Sequence, residues 1–256
     1  MPPKSVEMKY RRALAELTDF LRKTTVAEIK KAFEAQAAMT QDASFAETLT
    51  ALIASLQRRF NVLFSERAGG LAEAVARGVD RHSALSAAGS LKELSGDVTL
   101  SPVLVQGVAR EVLEATVKAN VALIKSIPEK YFEQIEGAVM RSIQTGRGMA
   151  DLQPEIERLG MVTKDRAALI ARDQTSKATA ALNNVRLDAL GIDKFKWLHS
   201  GGGKEPRRLH KDTLNGNVYS RANPPIIDER TGERGLPGQL INCRCRMVPV
   251  LEFTAT

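Results

Sequence analysis

Residues Gln239–Met247 read QLINCRCRM and hold both cysteines of a 256-residue chain. Cys243 and Cys245 are two apart, and each is followed by an arginine, Arg244 and Arg246. On a strand, residues i and i+2 face the same side, so this pair suits a shared core or a shared metal ion. A disulfide across one intervening residue is strained. So few cysteines also suit a reducing compartment rather than a disulfide framework. Zinc prefers four ligands, and His210, then His199, are the histidines that would extend the set. Nearby arginines could lower a thiol's pKa and make it reactive, although no Asp/His relay accompanies it in the sequence. The plainest reading is two small buried thiols that lock a terminal strand. Metal binding by His210, Cys243 and Cys245 stays open beside it.

His210 lies in PRRLHKDTLNG, three residues after Arg207 and so one turn away on a helix. That spacing could hold a phosphate or a metal, or the imidazole could fix the loop that follows. A small nuclease or nucleotide transferase centred on His210, with Arg207 and Glu205, is the enzymatic alternative. It lacks a second clear histidine or carboxylate partner. Gly201-Gly202-Gly203-Lys204 is not a phosphate loop, because Glu205-Pro206 follow where the motif needs Ser or Thr. Trp197, the only tryptophan, reads as a core anchor under a strand.

The chain carries 37 Lys and Arg against 30 Asp and Glu, a formal charge of +7. From Lys194 to Thr256 there are eleven basic and six acidic side chains, so this last segment holds most of the excess. Lys204, Arg207, Arg208, Lys211, Arg244 and Arg246 are its candidate nucleic-acid contacts. No apolar run is long enough for a membrane span, and no apolar segment backs the basic start MPPKSVEMKYRR, so no secretory signal is expected. No cofactor other than zinc is indicated.

The elements that must position these residues begin with helices. Leu14, Leu17, Leu21, Ile29 and Phe33 form one stripe, with Thr24-Thr25 as an expected interruption. Phe45, Leu49, Leu52, Ile53, Leu56, Phe60 and Leu63 form another, capped by Asp42 or Ser44 and stopped at Gly69-Gly70. A helix over 103–126 is expected to break before Pro128, which opens the next one to Thr145. A short helix over 149–159 should stop at Gly160, with a long helix from Thr163 to Leu190 whose inward stripe is rich in alanine. After Gly191, Phe195–His199 reads as a strand, Arg207–Thr213 as a helical turn, and Leu214–Tyr219 as an Asn-Gly turn into a strand. Asn223–Gly238 reads as a polar loop and Cys243–Leu251 as a final edge strand. The fold class is therefore α+β: a mainly helical region over 1–148, then a small α+β module with a short sheet over 149–256.

Trp197, Arg207-x-x-His210, Leu214-x-Gly216, Pro237-Gly238 and Cys243-Arg244-Cys245 occur in an order that resembles the phage Mu F-like minor head proteins, the head morphogenesis family of tailed bacteriophages. The resemblance covers about 110–253 and is clearest over 165–250. Residues 1–110 share only helical character. Family members often carry an acidic residue between the tryptophan and the R-x-x-H, where this chain has SGGGKEP. The resemblance implies a structural, non-enzymatic minor head protein, present in several copies per particle. Its implied partners are the portal protein, the major capsid protein and packaged DNA. It also implies a place in the virion head and, during assembly, in the host cytoplasm. It carries over no catalytic residue. A zinc-stabilised binding module is the third reading.

Overall fold

The computed structural model describes residues 2–37, 45–95, 109–201 and 206–250. Among them, four long helices precede a small sheet: α1 (Lys4–Ala37), α2 (Phe45–Ser95), α3 (Arg110–Gln144) and α4 (Met149–Ala189). Next come β1 (Lys194–Leu198), a π-type turn over Leu209–Thr213, β2 (Val218–Ser220), β3 (Ile226–Asp228), β4 (Glu233–Arg234) and β5 (Arg246–Pro249). The molecule is α+β in that order. No described helix is long and apolar enough to cross a membrane.

Two compact units draw on separated stretches of chain, Met8–Ala72 with Lys118–Ala171, and Met1–Glu7 with Glu73–Val117 and Arg172–Thr256. The first is a helical packing. Leu14, Leu21, Leu49, Phe60, Phe132, Ile135 and Ile156 are buried in its core, and the Phe60 ring contacts Phe20 at 5.6 Å and Phe132 at 5.9 Å. Tyr10 donates a 3.0 Å hydrogen bond to Asn120 inside that core, and burial pushes its phenol pKa up.

Four expected helix breaks do not occur, and each has a local reason. Thr25 continues the buried stripe of α1 because its hydroxyl donates 2.8 Å to the Leu21 carbonyl and so loses its polar demand within the helix. At Gly69-Gly70 the helix runs on, since Phe64, Ala68, Ala72, Val75 and Val79 keep an unbroken buried stripe on the other face. Pro128 is interior to α3, flanked by buried Ile124, Ile127, Tyr131 and Phe132, so packing outweighs the lost backbone bond. Gly160 is interior to α4 because the helix passes close to Arg22: a Cβ there would stand 2.3 Å from Arg22 Cδ. Thr163 is accordingly no cap, and its hydroxyl donates back to Leu159 at 2.9 Å. The caps expected at Asp42 or Ser44, and residues 103–108 of the expected helix, lie outside the described residues.

In the second unit the sheet order is β2-β1-β5, antiparallel throughout. β1 pairs Phe195 with Tyr219 on one side, and Trp197 with Met247 on the other. Phe195 and Trp197 are fully buried, whereas Lys196 between them is exposed, the alternation of a half-covered strand. Two expectations change here. The stretch read as loop contains the β3–β4 hairpin, which pairs Ile226 with Arg234 across a bulge. The last strand begins at Arg246, so Cys243-Arg244-Cys245 form the turn before β5 rather than its start.

The end of α4 is closed by a left-handed Gly191 (φ 66°), with the Ile192 N–H on the Leu187 carbonyl at 2.9 Å. Arg221, just past β2, donates to the Ile192 and Asn184 carbonyls, both at 2.8 Å, and to Asp188 at 2.6 Å. One guanidinium thus joins helix end and sheet.

Candidate functional site

Three chemistry-bearing side chains converge in the core of the sheet module. His210 is on the π-type turn, where the Leu214 N–H bonds back to Leu209 at 2.9 Å. Cys243 and Cys245 come from the turn before β5. His210 is 2% exposed, Cys243 4% and Cys245 7%, so no part of this cluster is a surface feature. His210 Nδ1 lies 3.5 Å from Cys243 Sγ and 3.7 Å from Cys245 Sγ. Its other nitrogen, Nε2, is 2.9 Å from the Ile227 carbonyl oxygen. That oxygen can only accept, so Nε2 carries the hydrogen and Nδ1 turns a lone pair toward the two sulfurs. Trp197 stacks edge-on against the imidazole at 5.1 Å.

The sulfurs are set among hydrogen-bond donors. Cys243 accepts from Cys245 and from the backbone N–H groups of Cys245 and Gly238, and with the His210 ring beside it this pulls its thiol below the usual range. Cys245 is pushed up, because its proton is held by the neighbouring Cys243 sulfur in a buried site. Among the described residues the Trp197 indole N–H has no hydrogen-bond partner. The arrangement can therefore hold one proton between two sulfurs, or a cation among three donor atoms. Both cysteines are free thiols. His199 does not join them: its Nδ1 accepts from the Gly201 N–H at 3.1 Å, and among the described residues the buried donor group is His210, Cys243 and Cys245.

The remaining marked residues build this cluster from outside. Arg207 donates 3.0 Å to the Ile241 carbonyl and so ties the π-type turn to the turn that carries both cysteines. Gly216 takes φ 85° and its N–H reaches the Trp197 carbonyl at 2.8 Å, a close return onto β1 that suits glycine. Gly238, which follows Pro237, has φ 91° and lies against α4, where a Cβ would stand 2.8 Å from the Ala180 methyl. The alanine-rich face of α4 thus receives this turn.

The basic residues separate. Arg207, Arg208, Lys211 and Arg246 are exposed, Arg244 is half-buried, and Lys204 and Glu205 lie outside the described residues. Lys196, not singled out from the sequence, shares the outer face of the sheet with Arg246, since Leu198 pairs with Arg246 and Lys196 with Val248. Asp173 was also missed. It is a buried carboxylate on α4 that accepts the Asn242 N–H at 2.7 Å and pairs with Lys177 at 2.9 Å. The run Asp173–Ser176, four polar residues inside an alanine-rich helix and all buried, was the available signal. A nuclease centre on His210 does not fit this geometry, because the imidazole is sealed in the core with Nε2 bonded to backbone.

Residues 133–248 match the family model described as phage Mu protein F like protein. The chain is also 37% identical over 142 residues to an uncharacterized protein of Haemophilus influenzae. That alignment covers 56% of this chain and 30% of the relative's length, so this chain spans under a third of the protein it matches. No solved structure matches it. The matched segment contains Trp197, Arg207, His210, Gly216, Pro237, Gly238, Cys243, Arg244 and Cys245, among them the residues that make the buried cluster. Residues 133–248, a little under half of the chain, are thus similar to the phage Mu protein F like family.

Proposed function

We propose that this chain is a structural, non-enzymatic minor head component of a tailed bacteriophage, associating with the portal and the inner face of the capsid during head assembly. The family match over residues 133–248 carries the reading. The buried cluster supports it, since the family's marked residues are spent on holding a small terminal fold together rather than on an open cleft. Exposed apolar side chains such as Met8, Val62 and Met161 supply contact area on the helices for portal, capsid or further copies of the chain. Lys196, Arg208, Lys211 and Arg246 are exposed cations of the terminal module and suit packaged DNA or an acidic portal surface. The place of action is the virion head, reached from the host cytoplasm.

Sedimentation tests this directly. Purified chain mixed with portal oligomers or procapsids is expected to travel with the particles, and mature particles are expected to contain it in a few copies. A chain that stays at the top of the gradient and is missing from mature particles overturns the proposal.

A further inference from the structure

We propose that His210 Nδ1, Cys243 Sγ and Cys245 Sγ are three ligands of one zinc ion that staples the π-type turn to the turn before β5. The three donor atoms all lie within 4.8 Å of one another and all three residues are buried. Around a tetrahedral zinc, with bonds of about 2.3 Å to sulfur and about 2.0 Å to nitrogen, the nitrogen-to-sulfur separation is about 3.5 Å. The observed separations are 3.5 and 3.7 Å. Both nitrogen-to-sulfur separations therefore already stand at ligand spacing.

Three further features separate this arrangement from an ordinary thiol core. The Nε2–H bond to Ile227 fixes the tautomer that a ligating histidine needs and orients its ring, the usual outer support of a metal-bound imidazole. Trp197 packs edge-on against the imidazole at 5.1 Å and helps to hold its plane. A buried thiolate needs a positive partner. The guanidinium of Arg207 is engaged with the Ile241 carbonyl instead. Two thiolates and an imidazole form a soft, nitrogen-and-sulfur set that selects zinc over magnesium or calcium. Among the described residues no fourth His, Cys, Asp or Glu joins the group, so the fourth position falls to a water or hydroxide. The ion's role is a staple: it would tie residue 210 to residues 243 and 245 across more than thirty intervening positions, in a module whose described sheets are of three and two short strands.

The test uses the full chain expressed and purified without chelator. Elemental analysis of the wild type is expected to give about one zinc per folded chain. Chelator-stripped chain, refilled with cobalt, is expected to show sulfur-to-cobalt charge transfer and the intense visible bands of a tetrahedral ion. Cys243→Ser and His210→Ala should each lose the metal, while His199→Ala keeps it. Because the first two variants can fail to fold, the wild-type arm decides by itself. A folded wild-type chain with far less than one zinc, no cobalt spectrum and two freely titrating thiols, or a Cys243–Cys245 disulfide in their place, overturns the proposal.

Discussion

Arg207 reaches across the terminal module and donates 3.0 Å to the Ile241 carbonyl, two residues before Cys243. The arginine of the R-x-x-H pair is thereby a strut for the cysteine turn, although it is exposed and cationic. Arg208 and Lys211, on the same turn, are exposed. The two roles separate experimentally. Arg207→Ala is expected to lower stability by about 1 kcal/mol, the net worth of one such hydrogen bond, with little change in the salt dependence of DNA binding. Arg208→Ala and Lys211→Ala should leave the melting transition in place. Each should reduce the slope of log affinity against log salt by about one phosphate contact. Denaturation curves and a salt titration with duplex DNA read out both effects. A flat salt response in the wild type would assign the charge to a protein partner or to solubility.

Glycines inside the helices divide in the same way, by what surrounds them. At Gly69 and Gly70 an added Cβ meets nothing within 4 Å. Gly69→Ala and Gly70→Ala should each raise stability by about 0.5–1 kcal/mol, the propensity difference in a helix interior. At Gly160 the added Cβ would stand 2.3 Å from Arg22 Cδ and 3.2 Å from its Cβ, and Arg22 is paired with Glu157. Overpacking of this kind costs about 1–3 kcal/mol, which outweighs the same propensity gain. Gly160→Ala is therefore expected to lower the urea midpoint while Gly69→Ala raises it.

These glycines also show where sequence reading stops. Period-3.6 stripes in α1 and α2, the alternation of Phe195 and Trp197, and the Asn-Gly turn are local patterns, and each appears where its local physics places it. Gly69, Pro128 and Gly160 were expected to end helices because a local rule has no access to what the helix buries further along. The β3–β4 hairpin escaped because its second strand, Glu233-Arg234, is two polar residues with no alternation to read. The residue types of the buried cluster were legible as a His-and-two-Cys set. Its bracing was not: Asp173 meets Asn242 across 69 positions and Arg221 meets Asn184 across 37, and neither separation leaves a periodic trace.

Asp193 links β1 to the segment after β2. It accepts hydrogen bonds from the Ser220 side chain and the Ala222 N–H, the latter at 2.9 Å, and these hold its carboxyl pKa below the ordinary value. A carboxylate depressed in the folded state stabilises the fold fully above its unfolded pKa. That contribution is lost as pH falls from the ordinary carboxylate range through the lower folded value. Wild-type stability should decline across that acidic window. Asp193→Asn should be less stable at neutral pH and show a shallower decline on acidification. Thermal melts at a series of pH values measure both, and parallel pH profiles for the two proteins would refute the assignment.

Arg186 on α4 is fully buried, and its guanidinium pairs with Asp80 on α2. Asp80 keeps 29% of its side chain exposed, so the carboxylate is partly solvated while the cation is not. Two of the guanidinium nitrogens, Nε and Nη1, have no hydrogen-bond partner among the described residues. The pair is therefore asymmetric: removing the carboxylate strands a buried positive charge, while removing the arginine leaves an acid that water can reach. Asp80→Ala is expected to cost roughly 2–4 kcal/mol, somewhat under the figure for a fully buried pair because solvent screens Asp80. Arg186→Met keeps the volume and removes the stranded charge, so it should cost distinctly less, and Asp80→Ala added to Arg186→Met should cost little more. A double-mutant cycle by chemical denaturation measures the coupling. Equal losses for the two single substitutions would mean that packing around Arg186, rather than its charge, decides the stability of this contact.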